Sequence, residues 1–156
     1  MSKVFVIADL HLSHGKLAQC RGFADKEAHN AALIDAWNSV VTKRDVVYVL
    51  GDVWDCSHLK AANGIKKLAM GNHDLEKMEN YLEVFTKVRS YFEYDNCLLS
   101  HIPVHPGQFH RYRMNVHGHM HAHKLEDPRY VCVSVEQCPG MAPMLLNKLI
   151  QPLGDS

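Results

Sequence analysis

Apolar and polar positions give the two halves of the chain different rhythms. In the first half, Lys3–Ala8 and Asp45–Leu50 read as buried strands and Ile65–Met70 as a third strand. Each is followed by a polar cluster: Asp9 and His11, then Gly51-Asp52, then Gly71-Asn72-His73-Asp74. Asp25 is placed to cap a helix running to about Val41, with Ala28, Ala32, Ile34, Trp37 and Val41 roughly at helical spacing. Ser57 is placed to cap a short helix that stops at Gly64, and Leu75–Phe85 reads as a further helix.

In the second half, Tyr91–Tyr94 and Cys97–Ser100 flank Asp95-Asn96, which predicts a hairpin with a two-residue turn. His101 follows the second arm, and a loop rich in Pro, Gly, His and Arg covers Ile102–Met114. Asn115-Val116-His117 is a short strand before Gly118-His119-Met120-His121, and Tyr130–Val135 alternates as another strand. The tail from Ala142 suits a strand, a short helix, or both.

The order βαβαβα predicts parallel strands with crossover helices, followed by a layer of mostly antiparallel strands. No repeat, low-complexity tract or linker interrupts the chain, so residues 1–156 are expected to form one domain.

Composition narrows the classes. A 47% hydrophobic, 22% charged chain is ordinary for a globular domain and argues against disorder, collagen or a coiled coil. Lys plus Arg balances Asp plus Glu at 17 each, so no long-range field draws duplex nucleic acid or anionic membrane. No run of 18 apolar residues predicts a membrane span. The apolar run near the N-terminus is broken by Asp9 and does not read as a signal peptide. Cys20, Cys56, Cys97, Cys132 and Cys138 form no CxxC pair and read as reduced thiols of a cytoplasmic protein.

The unusual feature is histidine. There are 12, and four fall within His117–His123, internal and spaced, unlike an expression tag. The polar residues beyond predicted strand ends are Asp9, His11, Asp52, Asn72, His73, Asp74, His101, His119 and His121. In open α/β sheets ligands bind beyond the carboxyl ends of strands. A mixed N/O donor set without thiolate suits manganese, iron, zinc, nickel or cobalt better than a structural zinc site. It is too large for one ion. Two ions about 3.5–4 Å apart, sharing a carboxylate, would clamp a phosphoryl group.

Asp9-Leu10-His11, Gly51-Asp52-Val53-Trp54-Asp55, Gly71-Asn72-His73-Asp74, His101 and Gly118-His119-Met120-His121 together resemble the five blocks of the calcineurin-like metallophosphoesterases. The resemblance runs from residue 3 to about 136 and is greatest to compact bacterial and phage-encoded members. These share segments like Arg21-Gly22-Phe23, with proline more often at the position of Gly22, and like Trp37–Val41. It implies a four-layer αββα sandwich of two mixed sheets flanked by helices, with a dinuclear site, most often of manganese. Carried over, Asp9, His11 and His121 would hold one ion, and Asn72, His101 and His119 the other. Asp52 would bridge them, and a bridging water, ionised to hydroxide, would attack phosphorus in line. His73 would protonate the leaving oxygen or stabilise phosphoryl charge, oriented by Asp74, whose alternative role is a helix cap. Asp55 is expected to be structural.

Arg21, Arg111 and Arg113 are candidates to hold substrate phosphate. His14, His105, His110 and His123 are loop histidines that would at most line the mouth of the site. His117 alternates with His119 and is expected on the opposite face. The expected substrate is a small phosphodiester or phosphomonoester, a nucleotide among the candidates. The competing readings are a small nuclease or nucleotide hydrolase, and a metal-binding scaffold that has lost catalysis.

Overall fold

Strand β1 (Val4–Ile7) is packed on both faces, as its unbroken apolar run requires. Phe5 and Ile7 join one core cluster, while Val6 and the following Ala8 join another. β2 (Val46–Val49) repeats the division: Val47 and Val49 enter the first cluster, Tyr48 and Leu50 the second. With β3 (Ile65–Ala69) and β4 (Lys87–Arg89) they form a parallel array, closed by β9 (Met144–Leu145) antiparallel to β1. The order is β4-β3-β2-β1-β9. The computed structural model describes residues 1–151; residues 152–156, the end of the expected single domain, lie outside the described residues.

The first cluster lies under α2 (Lys26–Val40), a 3-10 helix (Cys56–Ala61) and α3 (Met78–Leu82), and α1 (Gly15–Cys20) packs against α2. α2 begins as its sequence predicts, with the Asp25 carboxylate accepting the Ala28 N–H at 2.8 Å. The 3-10 helix is capped by Asp55 rather than Ser57, because the Asp55 carboxylate accepts both the N–H and the hydroxyl of Ser57. The helix expected over Leu75–Phe85 is only Met78–Leu82. Its would-be first turn is held in another path: the Glu76 N–H donates to the Tyr81 hydroxyl at 2.9 Å, and Leu75 stands exposed.

The second sheet runs β5 (Tyr91–Tyr94), β6 (Cys97–Ser100), β7 (Met114–His117) and β8 (Tyr130–Cys132) in that order. Asp95 and Asn96 form the expected hairpin turn, both left-handed at φ 48° and 58°, the backbone of a type I′ turn. Only β5–β6 is antiparallel; β6–β7 and β7–β8 are parallel, which corrects the expectation of a mostly antiparallel layer. Parallel neighbours need a connection of about a dozen residues. The segments between these strands are long enough, but they carry no helical periodicity to announce a crossover.

The inner face of this sheet packs on the second cluster, through Phe92, Cys97, Leu99, Met114 and Val116. Its other face carries buried Asn115 and His117, covered by the loop that includes a 3-10 helix (Pro106–His110). Phe109 and Tyr130 meet edge-on at 5.0 Å, and the Asn115 side chain accepts the Val104 N–H. The chain is therefore α/β, two mixed sheets flanked by helices, as expected. On the second sheet a 3-10 turn and loop take the place of a regular helix. The tail supplies both expected alternatives, β9 followed by α4 (Leu146–Leu149).

Ala8 joins the two sheets. Its N–H donates to the Val133 carbonyl at 2.9 Å, and its own carbonyl accepts the Val135 N–H at 3.0 Å. That link brings the carboxyl ends of β1, β2 and β3 beside those of β6, β7 and β8.

Candidate metal centre

Two adjacent loops build the floor. Asp9, His11 and Ser13 after β1, and Asp52 and Trp54 after β2, all have positive φ, between 47° and 74°. The residues between them, Leu10, Leu12 and Val53, are buried. Each loop thus turns every second side chain to the same side and anchors the others in the core. Left-handed backbone at such residues costs on the order of 1–3 kcal/mol each, so surrounding contacts must hold it. Here the Asp9, His11 and Leu12 N–H groups donate to the carbonyls of Gly51, Asp52 and Val53 at 2.8–3.0 Å. Gly51 is itself at φ 83°, and a Cβ there would lie 2.6 Å from His101 Nδ1. At Gly118 a Cβ would fall 2.5 Å from Ala8 Cβ and 2.7 Å from Asp9 Oδ2. The glycines of these motifs let the loops close onto the site.

The side chains gather into two groups, Asp9 with His11 and His121, and Asp52 with His101 and His119. Within each, the donor atoms lie within 4.8 Å of one another. Asp9 Oδ2 accepts the His119 N–H at 2.8 Å and the Ser134 hydroxyl, while buried Oδ1 has no hydrogen-bond partner among the described residues. Oδ1 faces His11 Nε2 and His121 Nε2, each at 3.8 Å. Both nitrogens of buried His11 are likewise unpartnered. Asp52 Oδ1 accepts the His73 N–H, and Oδ2 stands 3.6 Å from His11 Nε2 and 3.3 Å from His101 Nε2. His101 Nδ1 is tied to the Leu50 carbonyl at 2.7 Å, which leaves Nε2 to the site, 3.0 Å from Asn72 Oδ1 and 3.3 Å from His119 Nδ1.

Buried acceptors without donors are costly, and several on one wall fit a cation. The donors are carboxylate, imidazole and amide, the chemistry of a borderline divalent metal. Burial alone would raise the Asp52 pKa, but the His101 hydrogen bond, the His73 N–H and nearby imidazoles hold it at about 2. Burial would lower His101; its bond to Asp52 and the charge of Asp9 raise it instead. The Asp52 carboxylate is therefore ionised and ready to ligate at neutral pH.

A family model described as calcineurin-like phosphoesterase matches residues 2–134. The chain belongs to the calcineurin-like phosphoesterase family. Membership implies metal-dependent hydrolysis of phosphoric esters. The gene 66 protein of Mycobacterium phage D29 is 27% identical over an alignment of 186 positions, covering 92% of this chain and 93% of that protein. The gene 66 protein of Mycobacterium phage L5 is 39% identical over 84 residues, 47% of this chain and 41% of that protein, so this match spans less than half of the relative. An uncharacterized protein of Methanocaldococcus jannaschii is 30% identical over 135 residues, 84% of this chain and 76% of that protein. The crystal structure of a protein of unknown function from Aquifex aeolicus shares the fold, with a TM-score of 0.76 at 22% identity over 96% of this chain and 98% of that one.

Against the family's pattern, Asp74 takes a different part from the one expected. Its Oδ2 accepts the N–H groups of Asp52 and Gly71, and its Oδ1 that of Val53, at 2.8–2.9 Å. No hydrogen bond joins it to the His73 ring among the described residues, and α3 begins too late for it to be a cap. Asp74 therefore clamps the second loop to the third. It is buried, and the cost of burying its charge, with Asp52 close by, raises its pKa despite those three bonds. The His73 ring is exposed at the rim, 6.0 Å from the ring of His11 and in neither ligand group. Asp55 is structural as expected, bonding Ser13 and Ser57.

The arginines also fall elsewhere. Arg21 donates to the Asp9 and Leu10 carbonyls and to Glu136, and lies 3.0 Å from His29 Nε2. Its guanidinium is almost wholly buried and committed to the protein, so it positions the first loop rather than holding phosphate. Burial and the Arg21 charge take His29 down to about 4, keeping it a neutral neighbour. Arg113 binds Asp95 and the Ile150 carbonyl at the amino end of β7, the far end from the site, and Arg111 lies there too, beside Glu93 and Asp95. Four residues of strand, about 13 Å at ~3.3 Å each, separate that end from Gly118. His14 does lie at the mouth, its ring 5.6 Å from that of His11. His117 is buried on the outer face of its sheet, as expected, against Tyr130.

Sequence reasoning missed Ser134 and Glu136. Ser134 binds Asp9, and both Glu136 oxygens meet His121 Nδ1, at 2.9 and 3.1 Å, which turns His121 Nε2 toward Asp9. Burial would raise the Glu136 pKa, but His121 and Arg21 hold it below the ordinary value. The strand-end rule that found the other residues points to these as well when applied to β8, which stops at Cys132.

Proposed function

We propose that the protein is a phosphoesterase that works with two divalent cations. One is held by Asp9, His11 and His121, the other by Asn72, His101 and His119, with Asp52 shared. The observation that carries this reading is Asp52 Oδ2, placed 3.6 Å from a histidine of one group and 3.3 Å from a histidine of the other. Bound there, the cations supply positive charge that attracts phosphate and lowers the pKa of water. Manganese is favoured, with iron, zinc, nickel or cobalt as alternatives.

The chain's own residues do the rest. Asp9 and Asp52 bring negative charge to a buried floor, with imidazole ligands on either side. Asp74, Gly51 and the loop hydrogen bonds hold Asp52 still, and Glu136 fixes the tautomer of His121. His73, free of both groups, carries a proton to the leaving oxygen. A general acid permits poor leaving groups such as alkoxides, which leans toward phosphodiesters. A scaffold that had lost catalysis would be expected to lack a ligand or His73, and all of these residues are in place. The partner is then a small phosphoester rather than duplex nucleic acid.

Hydrolysis of bis-p-nitrophenyl phosphate and p-nitrophenyl phosphate, assayed with each metal in turn, tests the reading. Turnover that requires added divalent metal supports it. No turnover of either ester with any metal, on folded protein, overturns it in favour of the scaffold.

A further inference from the structure

The second floor loop places one residue on the ligand side that cannot ligate. Trp54 follows Asp52 at the same two-residue step that separates Asp9 from His11, with the same left-handed backbone, φ 74°. Leu12 and Val53, beside it in the paired loops, are wholly buried, yet Trp54 is turned out and 40% exposed. Trp37 shows the contrast: it is 1% exposed and its indole N–H donates to the Asn63 carbonyl at 2.9 Å. The Trp54 indole has no hydrogen-bond partner among the described residues. Its ring centroid lies 4.4 Å from that of His14, 5.7 Å from His73 and 6.2 Å from His11. His14 is itself fixed, its Nδ1 accepting the Leu17 N–H at 3.2 Å. A large aromatic held in an unfavourable backbone, wet, and beside the proton-carrying histidine is a feature the core does not require.

We propose that Trp54 is a stacking platform for a planar aromatic group carried by the alcohol esterified to the phosphate, so that the site prefers nucleoside or aryl esters to plain sugar or alkyl esters. This deepens the phosphoesterase reading and rests on it. The indole offers a flat apolar surface at the His73 side of the site, where the esterified group would lie. Stacking on an aromatic side chain tolerates any base, because every base has a π face. The chain carries no net charge to draw in a polynucleotide, so recognition falls on a single ring and a single phosphate.

The test uses the full chain loaded with zinc, a diamagnetic ion, and three probes: adenosine 5′-monophosphate, ribose 5-phosphate and phenyl phosphate. Affinity is measured by calorimetry and by tryptophan fluorescence, in which solvent-exposed Trp54 is the chromophore open to quenching. Base–aromatic stacking is worth about 1–3 kcal/mol, so adenosine monophosphate should bind roughly 5–150-fold more tightly than ribose 5-phosphate and quench the fluorescence. Trp54→Ala should collapse that ratio toward one, and Trp54→Phe should keep most of it. An advantage for phenyl phosphate as well supports the preference for aryl esters, and its absence would overturn that half of the preference and confine the platform to nucleobases. Equal binding of adenosine monophosphate and ribose 5-phosphate, or a ratio unchanged in Trp54→Ala, overturns the inference and leaves the phosphoesterase reading intact. Failure of all three probes to bind, together with no metal-dependent ester hydrolysis, overturns that reading and this inference with it.

Discussion

At the scale of single residues, the site separates groups placed to hold metal from groups that aim them. His73 belongs to neither ligand group, so His73→Ala should keep the fold and the metal content. General acid assistance is commonly worth ~10²–10⁴-fold. A loss of that size is expected for alkyl esters, whose leaving oxygen needs a proton, and a small loss for p-nitrophenyl esters, whose leaving group does not. Equal losses on both would assign His73 to phosphoryl charge instead. Glu136 acts one step back. Glu136→Gln weakens the grip on His121 Nδ1 while sparing the volume, and outer partners of this kind are typically worth about 10–100-fold in metal affinity. Metal titration should then show one ion weakened and the ion on Asp52, His101 and His119 little changed. A uniform loss at both positions would contradict this division.

At the scale of elements, the site depends on where strands end, and the ends are pinned. Asp45 is buried just before β2, and its carboxylate accepts the Lys3 N–H at 2.8 Å and the Thr42 N–H at 2.7 Å. Those bonds, led by Thr42, hold its pKa below the usual carboxylate range. A carboxyl depressed in the folded state contributes its stability above the unfolded pKa, near ~3.9, and loses it as pH falls through the folded value. Asp45→Ala should therefore cost about 1–3 kcal/mol at pH 7, and the gap to wild type should narrow below about pH 4. Denaturant melts at pH 7 and pH 3 check this; a gap that persists at pH 3 would show that the charge is not what matters. The same elements show what the chain makes legible. β1 and β2 were readable because an apolar run buried on both faces has few other homes, and α2 because cap and period agree. The parallel β6–β7 and β7–β8 pairs were not, since their connections are irregular loops. Leu75–Phe85 misled because helical spacing there is overridden by Tyr81 binding the Glu76 N–H.

At the scale of the whole molecule, two sheets packed face to face are linked through Ala8, and their strand ends supply one site from residues as far apart as Asp9 and Glu136. The candidate ligands are legible because they sit just past apolar strands in short motifs. The arginines were misplaced because sequence position within a loop does not tell which end of a sheet the loop covers. Arg21 turned inward to Glu136, and Arg113 outward to Asp95. Glu136 and Trp54 carry no motif of their own, and only the packing of loops shows their side. If both groups bind metal at once, they do so through Asp52. The most direct measurement is metal content per chain after dialysis against manganese, with turnover followed as the ions are added, for wild type and Asp52→Asn. Two ions per chain are expected, with turnover that rises with the second, and loss of both turnover and tight binding in Asp52→Asn. Full turnover with one ion per chain, or an Asp52→Asn protein that still holds two, would contradict that expectation.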